Sequence, residues 1–333
     1  MLSIIIPAHN EELLLGRTLY HLTTAVDELG LPSEIIVVDD ASTDRTAAIA
    51  EEYGVRVIHV NHRQIAATRN AGAREARGDM LLFVDADTLV SVYPLRAAVE
   101  AMEKKGAVGG GCRFRFEGRL PLYGRIMQSL AMPLYSLARL ASGCFLFCRR
   151  EAFEAVGGFD EKLFAAEEAY LSRALHKKGR FVILRESVFT SGRKLRTYSF
   201  GEVLRLFGGI AMSGFKSVQQ REGLDIWYGE RRQDPEEMAR QAQIANDEWV
   251  VEVDGRPVAL LTEPEWAEMF RTSYKIKPLA EDAETLAKLN DVEFWNAMEG
   301  MKFRHRATAQ LGEMAFPLMN ALSRGRIVMR GMY

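Results

Sequence analysis

The sequence predicts an α/β fold: a doubly wound, mainly parallel sheet covered by helices on both faces. Two observations predict it. Short, continuously apolar runs alternate with helical segments through residues 1–90, and clusters of acidic and small polar residues follow those runs. Strands buried on both faces are apolar throughout, whereas half-exposed strands alternate. Sheets of this kind bind ligands beyond the carboxyl ends of their strands.

Ser3–Pro7 is the first apolar run, and Pro7 stops it. Glu11–Leu29 carries a helical pattern. Glu34–Val38 is a second, β-branched run, followed by Ser42-Thr43-Asp44, whose short side chains suit the free N–H groups at a helix start. Val55–Val60 is a third strand, Gln64–Arg77 a helix ending before Gly78, and Met80–Val84 a fourth strand. From Gly106 to Ser191 the pattern continues, with Ser142–Cys148 as a buried strand and a helix beginning near Ala165. Ser199–Val218 has apolar positions at Phe200, Val203, Leu204, Phe207, Ile210 and Ala211, the spacing of one buried helical stripe. We expect that stripe to pack on the core, with an interfacial membrane role as the alternative.

The character changes near Glu222, which divides the chain into an expected main domain, 1–221, and a C-terminal unit, 222–333. Gly229–Asn246 is highly charged and reads as an exposed helix or linker. Trp249–Val253, Asp254-Gly255 and Arg256–Thr262 form a hairpin signal, since Asp-Gly suits a type I′ turn. Helical stretches follow at Glu263–Phe270, Glu281–Leu289 and around Ala307–Leu322, giving a small α+β unit. Trp249, Trp266 and Trp295 read as core residues of that unit.

Composition sets limits on function. The 333 residues are 48% hydrophobic and 26% charged, ordinary values for a globular chain. A net charge of −2 gives no global field to recruit nucleic acid. Cys112, Cys144 and Cys148 make no disulfide framework, which points to a reducing compartment. Cys144 and Cys148, four apart, would share one face of a strand, but two thiolates alone make a poor metal site. Met1 and Leu2 run straight into Ser3-Ile4-Ile5-Ile6 with no basic leader. The most apolar window, Ile126–Ala138, is bounded by Arg125 and Arg139 and falls short of the ~18 residues of a membrane span. The expected location is cytoplasmic, with peripheral contact at the inner face of the membrane left open.

The polar clusters carry the chemistry. Asp85-Ala86-Asp87 follows the fourth strand, and two carboxylates so placed can chelate one divalent cation, which in turn offsets the charge of a diphosphate. The alternative is helix capping by Asp87 and Thr88. Asp39-Asp40 ends the second strand, where a carboxylate can accept from the N–H of a uracil or guanine ring; here the alternative is a solvated pair beside a helix start. In Ala66-Ala67-Thr68-Arg69-Asn70-Ala71-Gly72, small residues permit close approach to a nucleotide, and Arg69 is a fixed cation within reach of base or phosphate, or else a surface arginine.

Four segments in order make the sequence resemble the family 2 glycosyltransferases. They are Pro7-Ala8-His9-Asn10-Glu11, Asp39-Asp40-Ala41-Ser42-Thr43-Asp44-Arg45-Thr46, Ala66 through Asp79, and Asp85-Ala86-Asp87. The resemblance covers about residues 1–215. It implies a GT-A fold, a Rossmann-like mixed sheet, and a nucleoside-diphosphate sugar as donor. It implies that Pro7, Glu11 and Asp40 hold the nucleoside with Asp39 and Arg69 nearby, and that Asp85 and Asp87 hold Mg²⁺ or Mn²⁺. His9 stands where an aromatic ring often stacks on the base. The resemblance further places a catalytic base at Glu168, in the Glu167-Glu168 pair that follows Gly157-Gly158-Phe159-Asp160-Glu161. Ser191-Gly192-Arg193-Lys194 resembles a basic loop, from which Arg193 or Lys194 would close over the diphosphate.

The reaction implied is transfer of a single sugar to an acceptor hydroxyl with inversion, since the Q-x-x-R-W motif of processive synthases is absent. A glycan, a lipid-linked molecule or a small molecule all remain open as acceptor. The rival readings are a retaining GT-A transferase, which would not need Glu168, and a nucleotide-sugar-binding protein without turnover. A sugar-1-phosphate nucleotidylyltransferase would need a glycine-rich loop after strand one, and Ala8–Glu12 contains no glycine. The C-terminal unit lies outside the resemblance.

Overall fold

The computed structural model describes residues 1–205, 218–229, 232–238, 250–253, 256–259 and 327–330. It divides into two compact units, Met1–Met238 and Ala239–Tyr333. In the first unit eight strands form one sheet: β1 (Leu2–Ala8), β2 (Ser33–Asp40), β3 (Arg56–Val60), β4 (Met80–Phe83), β5 (Thr88–Leu89), β6 (Ala107–Glu117), β7 (Leu146–Arg149) and β8 (Arg180–Ser191). Their order is β3-β2-β1-β4-β7-β6-β8-β5. Strands β3, β2, β1 and β4 run parallel, as do β6 and β8. β7 is antiparallel to both β4 and β6, and β5 is antiparallel to β8, so the sheet is mixed.

Eight helices belong to the fold described below: α1 (Leu15–Leu29), α2 (Thr46–Glu52), α3 (Ile65–Glu75), α4 (Val92–Glu103), α5 (Leu122–Ala138), α6 (Arg150–Ala155), α7 (Glu167–Lys178) and α8 (Arg193–Thr197). The central strands bury both faces. On β1, Ile4 and Ile6 enter one core with Leu15, Leu19 and Leu22 of α1 and Leu95 of α4. Ile5 enters the other, with Ala66 and Ala71 of α3, Phe153 of α6 and Leu171 of α7. This period-two split explains why β1 is buried at every position and apolar at all but Ser3.

Helix α3 is made of small residues because it lies almost against the sheet. A Cβ at Gly72 would sit 2.8 Å from Cγ2 of Val38 and closer still to Cγ2 of Ile5. Any larger residue must push α3 off β1 and β2, and with it every side chain that α3 delivers to the strand ends.

Several expectations need correction. Helix α1 starts at Leu15 rather than Glu11. The preceding turn is held elsewhere: the Glu11 N–H donates to Thr46 Oγ1 (2.7 Å) and the Glu12 N–H to Asp44 Oδ2 (3.1 Å). The strand expected over Ser142–Cys148 is only Leu146–Arg149, and Ser142–Phe145 is a turn closed by the Phe145 N–H on the Ser142 carbonyl. That turn breaks the alternation, so Cys144 and Cys148 lie in opposite cores instead of on one face. The stripe expected to be buried on Ser199–Val218 is not: Val203 is buried, but Phe200 and Leu204 are 54% and 58% exposed; positions 207, 210 and 211 lie outside the described residues. The charged stretch from Gly229 is not simply exposed either. Asp234 and Glu237 are buried, and Arg196 of α8 supplies the counter-charge, its Nε donating to Asp234 Oδ2 at 3.0 Å.

In the second unit, β9 (Val250–Val253) pairs antiparallel with β10 (Arg256–Ala259), Val253 opposite Arg256, as the hairpin signal predicts. β9 also pairs with β11 (Ile327–Arg330), a strand the sequence did not reveal. The helices expected at 263–270, 281–289 and 307–322, and Trp249, Trp266 and Trp295, lie outside the described residues.

Gly72→Val should therefore destabilise the protein by about 1–3 kcal/mol through overpacking. Urea unfolding checks this, and a midpoint equal to wild type would mean that the α3–sheet contact is not tight.

Candidate active site

The carboxyl ends of β1, β2 and β4 meet at one edge of the sheet, and the loops that leave them are tied together by hydrogen bonds. Asn10, with φ of 52°, turns its side chain to accept from the Thr43 N–H at 2.8 Å while its own N–H donates to Ser42 Oγ at 3.0 Å. The Asp44 carboxylate caps the start of α2 by accepting from the Thr46 N–H at 2.9 Å. Residues in the first two motifs thus hold one another before any ligand is considered.

The two aspartates that end β2 differ sharply. Asp40 is buried and saturated: Oδ1 accepts from the His62 and Arg63 N–H groups (2.7 and 2.9 Å), Oδ2 from the Gln64 N–H (3.2 Å) and Thr68 Oγ1 (2.7 Å). It fixes the loop entering α3 and has little capacity left for a nucleoside. Asp39 is equally buried, yet Oδ1 has no hydrogen-bond partner, and Oδ2 meets only His59 Nδ1 at 3.2 Å. A buried acceptor left unpaired is costly, so Asp39 is the carboxylate in need of a donor. Pro7 lies on β1 opposite Val38, and Ala8 opposite Asp39. His9 Nδ1 donates to the Asp40 carbonyl (2.8 Å), and the Arg63 guanidinium packs against its ring.

Arg69 is not the surface arginine that the sequence also allowed. It is 2% exposed, with Nη2 on Asp85 Oδ1 at 2.7 Å and Nη1 on Glu167 Oε1 at 2.6 Å. Its guanidinium lies 5.3 Å from the centroid of the Phe159 ring. Burial works against this charge, but Asp85, Glu167 and Glu168 more than offset it and hold the guanidinium firmly protonated. A Cβ at Gly143 would collide with Nη2, which accounts for the glycine in Ser142-Gly143-Cys144.

Neighbouring Asn70 fastens the loop before α7. Its amide donates to the Phe159 carbonyl and to Glu161 Oε1, both at 2.9 Å, and accepts from the Phe159 N–H at 3.0 Å. Helix α7 then begins with Glu167 and Glu168. Glu167 is buried and spent on Arg69. The Glu168 carboxyl is in no ion pair among the described residues and is hydrogen-bonded by its own backbone N–H. Burial, then the Glu167 carboxylate, push its carboxyl up to about 8, with Arg69 opposing.

Arg193, at the start of α8, forms a two-pronged pair with Glu11, with Nη1 to Oε2 at 2.7 Å, and Nη2 lies 3.5 Å from Asp87 Oδ2. Pairing of Thr88 with Thr190 brings β8 to this point, and Thr190 Oγ1 donates to Asp87 Oδ1 at 3.3 Å. Burial pushes the Asp87 carboxyl up to about 6; Arg193 opposes this, and Glu11 and Asp85 add to it. Lys194 is drawn down by burial and by Arg193. Thr190 is a contributor that sequence reading missed; its only signal was adjacency to a basic loop.

Among the described residues no three His, Cys, Asp or Glu side chains converge as a ready-made cation cage. Asp85 and Asp87 still fit a hard cation. They are oxygen donors one residue apart, Asp85 Oδ2 has no hydrogen-bond partner among the described residues, and the raised Asp87 carboxyl reports too little positive charge nearby.

Comparison with known proteins agrees with this architecture. Residues 3–157 match the model of Glycosyl transferase family 2. The chain is 29% identical over 190 residues to "Probable glycosyltransferase YdaM" of Bacillus subtilis (strain 168), covering 50% of this chain and 44% of that one. It is 41% identical over 95 residues to "Undecaprenyl-phosphate 4-deoxy-4-formamido-L-arabinose transferase" of Pseudomonas aeruginosa (strain LESB58), covering 26% and 28%. The matches thus span less than half the length of these relatives. Among solved structures, the mannosyltransferase PcManGT from Pyrobaculum calidifontis, in complex with GDP-Man and Mn²⁺, shares the fold with a TM-score of 0.51 at 18% identity, over 96% of this chain and 86% of that one. The fold is GT-A.

Two outcomes follow from the ion pairs. Arg69→Met leaves Glu167 and Asp85 without their cation and should cost about 3–5 kcal/mol in urea unfolding; Glu167→Gln in the same chain should recover part of the loss, and full additivity would refute the pairing. The raised carboxyls of Asp87 and Glu168 bind protons more tightly in the folded than in the unfolded chain. Their contribution to stability is therefore present at low pH and lost as pH rises through about 6 and about 8. The fall in melting temperature between those values should be shallower in Glu168→Gln, and an unchanged slope would place the Glu168 carboxyl in its ordinary range.

Proposed function

Residues 3–157 belong to glycosyltransferase family 2, and from that premise we propose that this protein transfers a single sugar from a nucleoside diphosphate to an acceptor hydroxyl, with inversion and with a divalent cation. The observation that carries the reading is the division of labour between the paired glutamates. Glu167 is neutralised by Arg69, while Glu168 next to it has no cation of its own and a raised carboxyl. A carboxyl whose proton affinity lies near neutrality can take a proton from a hydroxyl and release it again.

In this reading Asp39 Oδ1 accepts from a ring N–H of the base, which would satisfy its unpaired state. Asp40 holds the loop that shapes the nucleoside site from behind. Asp85 and Asp87 would hold the cation. When bound, the cation stabilises negative charge on the departing diphosphate. Arg193 and Lys194 stand at the same edge and can turn to the diphosphate once a cation takes over the charge of Asp87. Glu168 deprotonates the acceptor hydroxyl, which attacks the anomeric carbon from the side opposite the leaving diphosphate. The relatives' names include a lipid-phosphate acceptor, which keeps a lipid-linked acceptor within this proposal.

The test is a thermal-shift series with UDP-, GDP- and dTDP-sugars, with and without Mn²⁺, on wild type, Asp39→Asn and Asp85→Ala/Asp87→Ala. A ligand that binds the folded state raises the melting temperature by mass action. We expect a Mn²⁺-dependent shift with one donor, reduced in Asp39→Asn and lost in the double variant; no shift with any donor would end the donor-site assignment. With the donor known, kcat/KM should rise with pH through an apparent pKa near 8, as Glu168 loses its proton. Glu168→Gln should lose at least ~10² in kcat while keeping the thermal shift, and an active Glu168→Gln enzyme would favour retention.

A further inference from the structure

Helix α5 carries an exposed aliphatic stripe. Leu122, Ile126, Leu130 and Leu137 are 70%, 51%, 62% and 84% exposed. At 3.6 residues per turn these positions fall within about 80° of one another, on one face of a helix about 25 Å long. The opposite side is fastened to the protein. Tyr123 Oη donates to the Tyr198 carbonyl at 2.5 Å, Gln128 Oε1 accepts from the Phe116 N–H at 3.2 Å, and the Tyr135 ring meets Phe114 edge-on at 6.0 Å. The stripe continues past the helix start, because exposed Phe200 packs against Tyr123 with ring centroids 5.6 Å apart.

At the other end of α5, Ser136 and Arg139 border a cleft of about 470 Å³ that also takes in Arg113, Arg180 and Arg185. Its lining contains four arginines and no acid. Arg180 donates to the Lys105 carbonyl at 3.1 Å. Arg113, Arg139 and Arg185 are exposed and have no hydrogen-bond or ion-pair partner among the described residues. By contrast, exposed Arg45 and Arg232 are each paired with a carboxylate.

We propose that α5 and this arginine cleft dock the protein on an anionic lipid surface, the stripe entering the acyl boundary and the arginines meeting lipid phosphates. A soluble anion would account for the arginines but leave the leucines in water. A second copy of the chain would cover the leucines, but paired with its α5 parallel it would bring one arginine cleft towards the other. A bilayer with acidic headgroups satisfies both features at once, in the manner of a helix lying in the interface. Among the described residues no helix is long and apolar enough to cross a membrane, so the contact is a surface one. The docking face also borders the chemistry: burial, and then Glu168, push up the hydroxyl of Tyr135 on the inner side of α5. An acceptor anchored in that surface would reach Glu168 along α5. This last point rests on the transferase reading; the docking itself does not.

The test is co-sedimentation of the full chain, without donor, with vesicles of phosphatidylcholine alone or with about one-third phosphatidylglycerol, in about 0.1 M salt. We expect binding to the anionic vesicles that weakens as salt is raised. Ile126→Ser/Leu130→Ser should lower partitioning at least about tenfold. Arg113→Gln/Arg139→Gln/Arg185→Gln should lower it about a hundredfold, at roughly fivefold per arginine, and abolish the preference for anionic lipid. Both variants should keep the wild-type melting temperature and the donor-induced shift, which separates failure here from failure of the donor site. No vesicle binding, equal binding to both compositions, or binding indifferent to both variants would overturn the proposal. So would a dimer in sedimentation velocity that Ile126→Ser/Leu130→Ser disperses, or saturation of the cleft by inorganic phosphate with no partition to vesicles.

Discussion

The site depends on one buried guanidinium. Arg69 leaves α3, passes under the end of β4 to take Asp85, and ends on Glu167 at the start of α7. Three elements that are far apart in sequence are thereby held at fixed distances. The cost of burying the charge is offset because two carboxylates, and a third nearby, share it. The packing is built around this tie. Gly72 brings α3 close enough to the sheet for Arg69 to reach, and Gly143 leaves room for its Nη2. Asn70, one residue on, anchors the loop that leads into α7.

The same tie decides which carboxylate is left for chemistry. Acids gathered at one sheet edge repel, and the protein distributes a limited number of cations among them. Arg69 serves Asp85 and Glu167, and Arg193 serves Glu11 and stands near Asp87. Glu168 and Asp87 are under-served, and both carboxyls are raised. The two shortages differ in kind. Asp87 stands next to Asp85, where a bound cation can supply what is missing. Glu168 stands at the start of α7 beside Glu167, where a proton can supply it.

Much of this was legible in the sequence, for a physical reason. Period and punctuation specify strands such as β1 and helices such as α1 locally, and acids at strand ends have few structural uses. The fold class and the neighbourhood of Glu11, Asp39, Asp85 and Asp87 could be read that way. What could not be read was which partner each polar residue takes. Asp39 and Asp40 look alike in sequence, yet Asp40 is saturated by the loop entering α3 and Asp39 keeps an unpaired oxygen. Arg69 looked like a cation offered to a ligand because its partner Glu167 lies 98 positions away. Phe200 and Leu204 have core periodicity yet are more than half exposed, and periodicity alone does not say whether a stripe faces protein or lipid.

The boundary of the family match sharpens this point. It ends at residue 157, yet the geometry described here does not. Glu168, the base in the proposed transfer, lies beyond it, and so do Thr190, Arg193 and Lys194, which moderate the charge of Glu11 and Asp87. Without β8 and α8, Glu11 and Asp87 would face each other with no cation from the protein, and a divalent ion would have to hold them apart unaided. The motif-bearing segment therefore supplies the ligands, whereas the later segment supplies the charge balance that lets them coexist before a donor arrives. A variant in β8 or α8 can impair the candidate site without touching any of the four motifs, and that site belongs to residues 1–197 as one electrostatic unit.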